Sequence, residues 1–140
     1  MKKLEKAKKI LIEGEYTCVI LGEDTYTATK RGVAPLLDLL ESGADMAGAS
    51  AADKVVGRAA AFLYVLLKVS EIYAGVISKT ALEVLKKEGI HVEYDQCVEA
   101  IFNRDNTGFC PMETAVMGID EAESALLAIK NKLKILKAAN

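Results

Sequence analysis

The side chains best equipped for chemistry are concentrated in one stretch, from Asn103 to Glu113, which reads Asn-Arg-Asp-Asn-Thr-Gly-Phe-Cys-Pro-Met-Glu. Its first six residues predict a polar turn, and the run from Val98 to Phe102 before them is strand-like. Pro111 suits the first position of a helix, because its missing N–H would have no partner there anyway. Cys110 is then the predicted N-cap and Glu113 the third helical residue, which is a capping box with a thiol in place of the usual hydroxyl.

The position of Cys110 supports two interpretations. A cysteine at a helix N-terminus feels the positive end of the helix dipole, which favours the thiolate. Because polar loops of this kind often carry function, the stretch is predicted to be a ligand-binding or reactive loop, with Cys110 as the candidate catalytic residue. The alternative is that the loop only starts a helix and that Cys110 is a small buried filler. The candidate ligand-binding residues of the stretch are Asn103, Arg104, Asp105, Thr107 and Glu113.

A second candidate site lies at the start of the central apolar segment. The sequence predicts a helix from Ser50, with Asp53 completing an approximate capping box. Lys54 and Arg58 are four residues apart and would share one face of this helix. Together with unpaired backbone N–H groups they predict an anion-binding site, since the apolar run from Ala59 to Leu67 places this start at a core boundary. The alternative is a pair of solvated charges that partner nearby acids.

Further polar residues follow a predicted strand and a predicted hairpin. Ser78, Lys79 and Thr80 begin a helix directly after a strand, where ligands gather in open α/β sheets. A plain N-cap is the alternative for Ser78. Lys30 and Arg31 follow the hairpin and are a weaker candidate, because solvated charge explains them better.

No motif in the sequence predicts a metal or a cofactor. There is no Cys-x-x-Cys and no histidine–cysteine cluster, which disfavours a conventional zinc site. Nothing matches the P-loop or dinucleotide glycine patterns. His91 is the single histidine and is predicted to lie in a strand, so a nucleophilic pair with Cys110 would need the two residues to meet in space.

Composition limits the class of protein. The 140 residues suit one domain over the whole chain, and 51% hydrophobic with 27% charged residues indicate a globular protein. The net charge of −2 argues against nucleic acid as a partner. No signal peptide is visible, and the longest apolar run is too short for a membrane span. Three widely spaced cysteines, Cys18, Cys97 and Cys110, indicate reduced thiols and a cytoplasmic location.

The hydrophobic pattern predicts the elements that must position these residues. They are a helix over 2–13, a hairpin of 16–21 and 25–29, a helix over 33–41, the central helix from 50, a strand over 71–77, a helix from 78 to about 87, a strand over 90–94, the run 98–102, a short helix from 111 and a helix from 120 to about 136. A strand, a crossover helix and another strand imply a parallel, right-handed pairing. We therefore expect an α/β fold, a three-layer α/β/α sandwich with a mixed sheet.

Three segments, Ala52–Ala61, Asn103–Asp105 and Thr107–Glu113, resemble an uncharacterised prokaryotic family of unknown function that is described as having the cytidine deaminase-like fold. The resemblance covers nearly the whole chain, including Glu15–Leu40, and implies that fold.

The resemblance does not imply the chemistry of zinc deaminases. Those enzymes take a His or Cys, and a proton-shuttling Glu two residues later, from the start of the buried helix, and two more cysteines from the start of the next. Here those places hold Gly57–Ala60 and Ser78–Leu82, which cannot replace the zinc ligands or the shuttle.

These observations favour a metal-free deaminase-like domain that binds a small anionic ligand, such as a nucleotide, in the old active-site cleft. Lys54, Arg58, Ser78 and Thr80 would line this cleft, with the Cys110 loop nearby. One alternative is an enzyme that uses Cys110 as a nucleophile or redox thiol, although no clear general base accompanies it. Another is a structural or partner-binding domain. Neither nucleic acid nor a membrane is expected as a partner, and a homo-oligomer is left open.

Overall fold

The structure is a computed structural model that describes residues 2–30, 32–101 and 110–138. Within these ranges the chain forms six helices and five strands. Their bounds are α1 Lys3–Glu13, β1 Cys18–Leu21, β2 Thr25–Ala28, α2 Ala34–Ser42, β3 Ser50–Val56, α3 Arg58–Leu67, β4 Glu71–Ser78, α4 Lys79–Lys87, β5 His91–Val98, α5 Pro111–Ala115 and α6 Ala122–Ala138.

The five strands form one mixed sheet in the order β2-β1-β3-β4-β5. β1 runs antiparallel to β2, as the hairpin pattern predicts, and also antiparallel to β3. β3, β4 and β5 are parallel and are joined by the crossover helices α3 and α4. The predicted parallel pairing is therefore confirmed.

Helices cover both faces of the sheet, which confirms the predicted three-layer α/β/α architecture. On one face, Leu4, Ala7 and Leu11 of α1 pack against the inner strands in a small cluster with Val19 and Tyr73. The opposite face carries the main core, to which α2, α3, α4, α5 and α6 contribute. α3 lies at its centre, as its run of apolar residues predicts, with Phe62, Leu63 and Tyr64 almost fully buried.

The prediction of a helix from Ser50 is wrong, because Ser50–Val56 is strand β3. Alanine-rich sequence favours a helix locally, but β3 pairs with β1 on one side and β4 on the other. Ala51 and Ala52 point to opposite faces of the sheet and both are fully buried, so no alternation is visible in the sequence. Gly57 follows the strand, and α3 begins only at Arg58.

The predicted strand-like run from Val98 to Phe102 is also wrong over the residues that the structure describes. Val98 is the last residue of β5, which starts at His91 and is longer than the predicted strand. Residues 99–101 belong to no strand. β5 forms one edge of the sheet and is largely exposed, which explains its weak hydrophobic pattern.

Candidate functional site

A cavity of about 610 Å³ opens beside the antiparallel end of the sheet, where β1, β3, α2, α3 and α5 come together. Its wall is largely apolar, and its described residues include two lysines, two carboxyl groups and two thiols. The polar members among the described residues include Lys30, Lys54, Asp53, Glu113, Cys18 and Cys110. Several of the apolar members are Val33, Pro35, Leu36, Ala60 and Met112. This mixture is typical of small-molecule sites, which combine apolar walls with a few placed polar groups.

The side chain of Glu113 closes the N-terminus of α3. Its Oε1 accepts a hydrogen bond from the backbone N–H of Arg58 at 2.7 Å, and its Oε2 accepts one from Ala59 at 2.9 Å. The approach depends on Gly57, because a Cβ at that position would lie 2.6 Å from Oε1. A helix N-terminus is an anion-binding site, and in this protein the anion is the protein's own carboxylate.

The predicted capping box between Cys110 and Glu113 is wrong. Pro111 does occupy the first turn of α5 and Cys110 is its N-cap, as predicted, but the thiol makes no capping hydrogen bond. The carboxylate that would complete the box bonds to α3 instead, and the backbone N–H of Cys110 donates to the carbonyl of Ile101 at 3.1 Å. Cys110 still lies in the cavity wall.

Arg58 and Lys54 do not share a helix face, which corrects the second predicted site. Lys54 is an exposed residue of strand β3 and lines the large cavity. The Arg58 guanidinium turns away from it: Nη2 donates to the carbonyl of Ile119 and to Asp120 Oδ1, the latter at 3.1 Å. The physical reason is that residue 54 belongs to a strand and residue 58 to a helix, so the four-residue spacing of a single helix does not apply.

Ser78, Lys79 and Thr80 lie at the start of α4 and are not part of the described wall of the large cavity. Ser78 is buried, and its Oγ accepts a hydrogen bond from Ala81 N–H at 3.2 Å, which confirms the plain N-cap interpretation. Lys79 is exposed and pairs with Glu99. The structure therefore separates this group from Lys54.

The loop candidates Asn103, Arg104, Asp105 and Thr107 lie outside the described residues, and so does Arg31. His91 is exposed at the start of β5, where its Nε2 lies 3.0 Å from Glu93 Oε2. It does not belong to the described wall of the cavity that contains Cys110.

The sequence patterns do not predict one feature of the site, a polar network beside the cavity. Tyr64, at the centre of α3, donates its hydroxyl hydrogen to Asp53 Oδ2 at 2.6 Å and lies 3.2 Å from the sulfur of Cys18. Cys18 and Asp53 are direct partners across β1 and β3. Since a hydroxyl has one hydrogen, the thiol donates to Tyr64 when Tyr64 donates to Asp53. Both Asp53 and Cys18 line the cavity.

Burial changes the acid–base behaviour of this network. It raises the pKa of Asp53 to about 7, although hydrogen bonds from the Tyr64 hydroxyl and from the backbone N–H of Val55 act in the opposite direction. Burial, followed by the charge of Asp53, raises the pKa of the Cys18 thiol and places that of Tyr64 well above its usual value. Asp53 is therefore the member that titrates near neutrality. The corresponding feature of the sequence is an aspartate inside a run of small residues. Because this run is incorrectly predicted to be a helix, the sequence does not indicate that Asp53 lies in an inner strand.

Two absences hold for the described parts of the chain. Over residues 2–30, 32–101 and 110–138, no group of three or more His, Cys, Asp or Glu side chains is arranged to hold a metal ion. Over the same ranges, no helix is both long and apolar enough to cross a membrane.

Comparison with known proteins finds a family and a similar structure that each cover most of the chain. Residues 6–133 match the family described as TM1506, Domain of unknown function (DUF1893). The crystal structure of a DUF1893 family protein from Thermotoga maritima is 27% identical, covers 93% of this chain and 89% of its own, and superposes with a TM-score of 0.86.

Other comparisons add little. A deaminase/reductase from Thermotoga maritima, titled diaminohydroxyphosphoribosylaminopyrimidine deaminase/5-amino-6-(5-phosphoribosylamino)uracil reductase, is 10% identical and covers 81% of this chain and 40% of its own. Its TM-score of 0.41 is too low to support an argument. No curated protein is significantly similar to this chain.

Proposed function

This chain belongs to the DUF1893 family of unknown function, and because that membership carries no activity, we propose from the site itself that the protein binds a small anionic molecule in the large cavity. The anionic group meets Lys54 and Lys30, and the body of the ligand rests on the apolar wall. No metal takes part. The deaminase-like character of the domain is supported by the sequence resemblance alone. A nucleotide is one example of a small anionic ligand.

The observation that carries the proposal is the pairing of a large, mostly apolar cavity with two lysines at its wall. The volume of about 610 Å³ lies within the range of sites that bury a small organic molecule. Among the described residues, neither Lys30 nor Lys54 forms an ion pair. Both cations are thus available to an anion, whereas the N-terminus of α3 is already occupied by Glu113.

The experiment begins with native mass spectrometry of the purified protein, to detect a ligand that copurifies. A panel of aryl carboxylates and nucleoside monophosphates is then screened by thermal shift, and the best binder is measured by calorimetry. Lys54→Ala should weaken its binding by about 1.5–3 kcal/mol, the usual loss for a hydrogen bond to a charged group.

Lys9→Ala is the matched control, because Lys9 is an exposed lysine on α1, on the opposite face of the sheet. The Lys9→Ala variant should bind the ligand with the same affinity as the unmodified protein. If Lys54→Ala, Lys30→Ala and the double variant all bind as the control does, the cavity lysines do not hold an anion. If nothing in the panel binds, a structural or partner-binding domain becomes the better description.

An enzyme that uses Cys110 is the second candidate, and it is favoured by the position of that residue in the cavity wall at the start of α5. Alkylation of the unmodified protein at a series of pH values, mapped by peptide mass spectrometry, separates the two candidates. Rapid labelling of Cys110 with a midpoint clearly below the free-thiol value of about 8.5 supports a reactive cysteine. Slow labelling of Cys110 at every pH at which the protein stays folded would exclude the enzyme and leave Cys110 as part of the wall of a binding site.

The proposed partner is a small molecule rather than nucleic acid or a membrane. Cys18, Cys97 and Cys110 are all free thiols in the structure, which fits a reducing compartment and supports a cytoplasmic location as part of the same proposal.

A further inference from the structure

The carboxyl group of Asp53 lies in the cavity wall and is surrounded by hydrogen-bond donors. The Tyr64 hydroxyl donates to its Oδ2 at 2.6 Å and the backbone N–H of Val55 to its Oδ1 at 3.2 Å, and both hydrogen bonds support the charged form. A carboxylate has about four acceptor positions, so one is left on each oxygen for a group in the cavity. The ion pairs among the described residues do not include Asp53.

Asp53 is half-buried, and a carboxylate that has lost part of its hydration without a cation nearby is stabilised by a partner. From β1, Asp53 faces the thiol of Cys18, and from α3 it faces the hydroxyl of Tyr64, neither of which carries positive charge near neutral pH. The neighbouring residue on β4 is Ala74, which has no polar side chain. The other titratable groups in the described wall are Lys30, Lys54, Cys110 and Glu113.

We propose that Asp53 is the second anchor of the ligand, and that it accepts hydrogen bonds from a planar N–H donor edge, such as an amidine or an amino-substituted heterocycle. This inference rests on the proposed function, in which Lys54 holds an anionic group of the same molecule. The ligand class is therefore a flat molecule with an N–H donor edge at one end and an acid at the other. Planar donors suit this position because two parallel N–H bonds to a carboxylate add both energy and orientation.

Protonation of Asp53 gives this assignment a measurable signature. The pKa of Asp53 is raised from 3.8 to about 7 in the folded protein, so the folded state holds a proton that the unfolded state loses between these values. The stability that this proton contributes is complete below the lower value and is lost as the pH rises through about 7. A donor edge binds the ionised form, so below that pH its binding must release the proton to water.

Three small probes separate the two anchors: 4-amidinobenzoate carries both groups, benzoate carries only the acid and benzamidine only the donor edge. Calorimetry should show that 4-amidinobenzoate binds at least about tenfold more tightly than either of the others. Its affinity should also rise about tenfold from about pH 6 to about pH 8, with proton release at the lower pH, because neither group of the probe titrates in that interval. Benzoate has no donor edge, so any pH dependence of its binding comes from other groups in the wall. Its affinity should show no such rise.

Asp53→Asn should reduce the affinity for 4-amidinobenzoate to that for benzoate and remove the pH dependence. Asp24→Asn is the matched control, since Asp24 is an exposed carboxylate between β1 and β2. Tyr64→Phe provides a second test if Asp53→Asn does not fold. It removes a donor that lowers the pKa of Asp53, so the rise in affinity should move to higher pH.

The outcomes distinguish this inference from the proposed function. If benzoate binds and requires Lys54, but 4-amidinobenzoate binds no better and without pH dependence, the anion site stands and the role of Asp53 is refuted. If Asp53→Asn binds 4-amidinobenzoate as the unmodified protein does, the role is refuted as well. If neither acid binds to the protein, the role of Asp53 is refuted for this ligand class, and the anion site is decided separately by the wider panel of aryl carboxylates and nucleoside monophosphates.

Discussion

Two helices begin at the carboxyl ends of neighbouring parallel strands, and their first N–H groups are satisfied in different ways. α4 follows β4, and the hydroxyl of its N-cap Ser78 accepts a hydrogen bond from Ala81 N–H. α3 follows β3 and has Gly57 at its N-cap, which offers no side chain. The carboxylate of Glu113, 55 positions after Arg58 in the chain, accepts the hydrogen bonds instead.

The difference shows how one physical need can serve two purposes. A local cap stabilises its own helix and nothing else. A cap that arrives from another part of the chain also fixes the element that carries it, and here that element is α5. Because Cys110, Pro111 and Met112 belong to the same wall as Glu113, the remote cap shapes the cavity, whereas the local cap does not.

The largest effect should follow from removal of the remote cap. Glu113→Ala leaves the N–H groups of Arg58 and Ala59 without acceptors at the boundary of the core. We expect a loss of about 3 kcal/mol in the free energy of unfolding, since each hydrogen bond to a charged group contributes about 1.5–3 kcal/mol. Urea denaturation measures it. Glu113→Gln keeps one acceptor and should lose less, and a loss below about 1 kcal/mol for Glu113→Ala would contradict the assignment.

Gly57→Ala should be the next most damaging substitution. The added Cβ would lie 2.6 Å from Glu113 Oε1, so either the carboxylate or the strand end must move. We expect a cost of about 2 kcal/mol, typical of overpacking. A double-mutant cycle provides the control: in the Glu113→Ala background the same substitution should cost much less, because the clashing group is gone. Equal costs in both backgrounds would show that the contact does not limit the position.

Ser78→Ala removes the local cap and should cost about 1 kcal/mol in the free energy of unfolding, the usual value for an N-cap. Because Ser78 is not part of the described cavity wall, ligand affinity should stay the same. Ser78→Thr keeps an acceptor and should recover most of the stability. If Ser78→Ala changed the affinity for the ligand, the start of α4 would influence the cavity as the start of α3 does.

Lys79→Ala should have the smallest effect. The ammonium group pairs with Glu99 at a fully exposed position, and such pairs contribute little to stability. We expect an unchanged denaturation midpoint and unchanged binding in calorimetry. Weaker ligand binding in this variant would restore the role that the sequence predicts for the start of α4.

Local patterns predicted much of the fold correctly. The hairpin of β1 and β2, the buried helix α3, the cap at Ser78 and the helix start at Pro111 all follow from neighbouring residues. The local pattern of β3 predicts a helix, because its small residues face both buried sides of the sheet and so show no alternation. Nothing in the residues around Ser50 indicates the two strands that flank it.

The candidate site was predicted in part, and for the same reason. Lys54, Cys110 and Glu113 were singled out by residue type and do lie in the cavity wall. The sequence predicts that Arg58 and Lys54 share a helix, but Lys54 belongs to β3. The guanidinium of Arg58 contacts Ile119 and Asp120 instead.

Residues within a few positions of one another are enough to predict the hairpin, the buried helix α3 and the cap at Ser78. That Glu113 closes α3 and that Cys18 lies opposite Asp53 follows only from the tertiary structure. Both contacts join residues far apart in the chain, and their geometry depends on strand pairing and helix packing. The cavity and the altered acidity of Asp53 arise from that packing, since burial is a property of the assembled fold and not of any one segment.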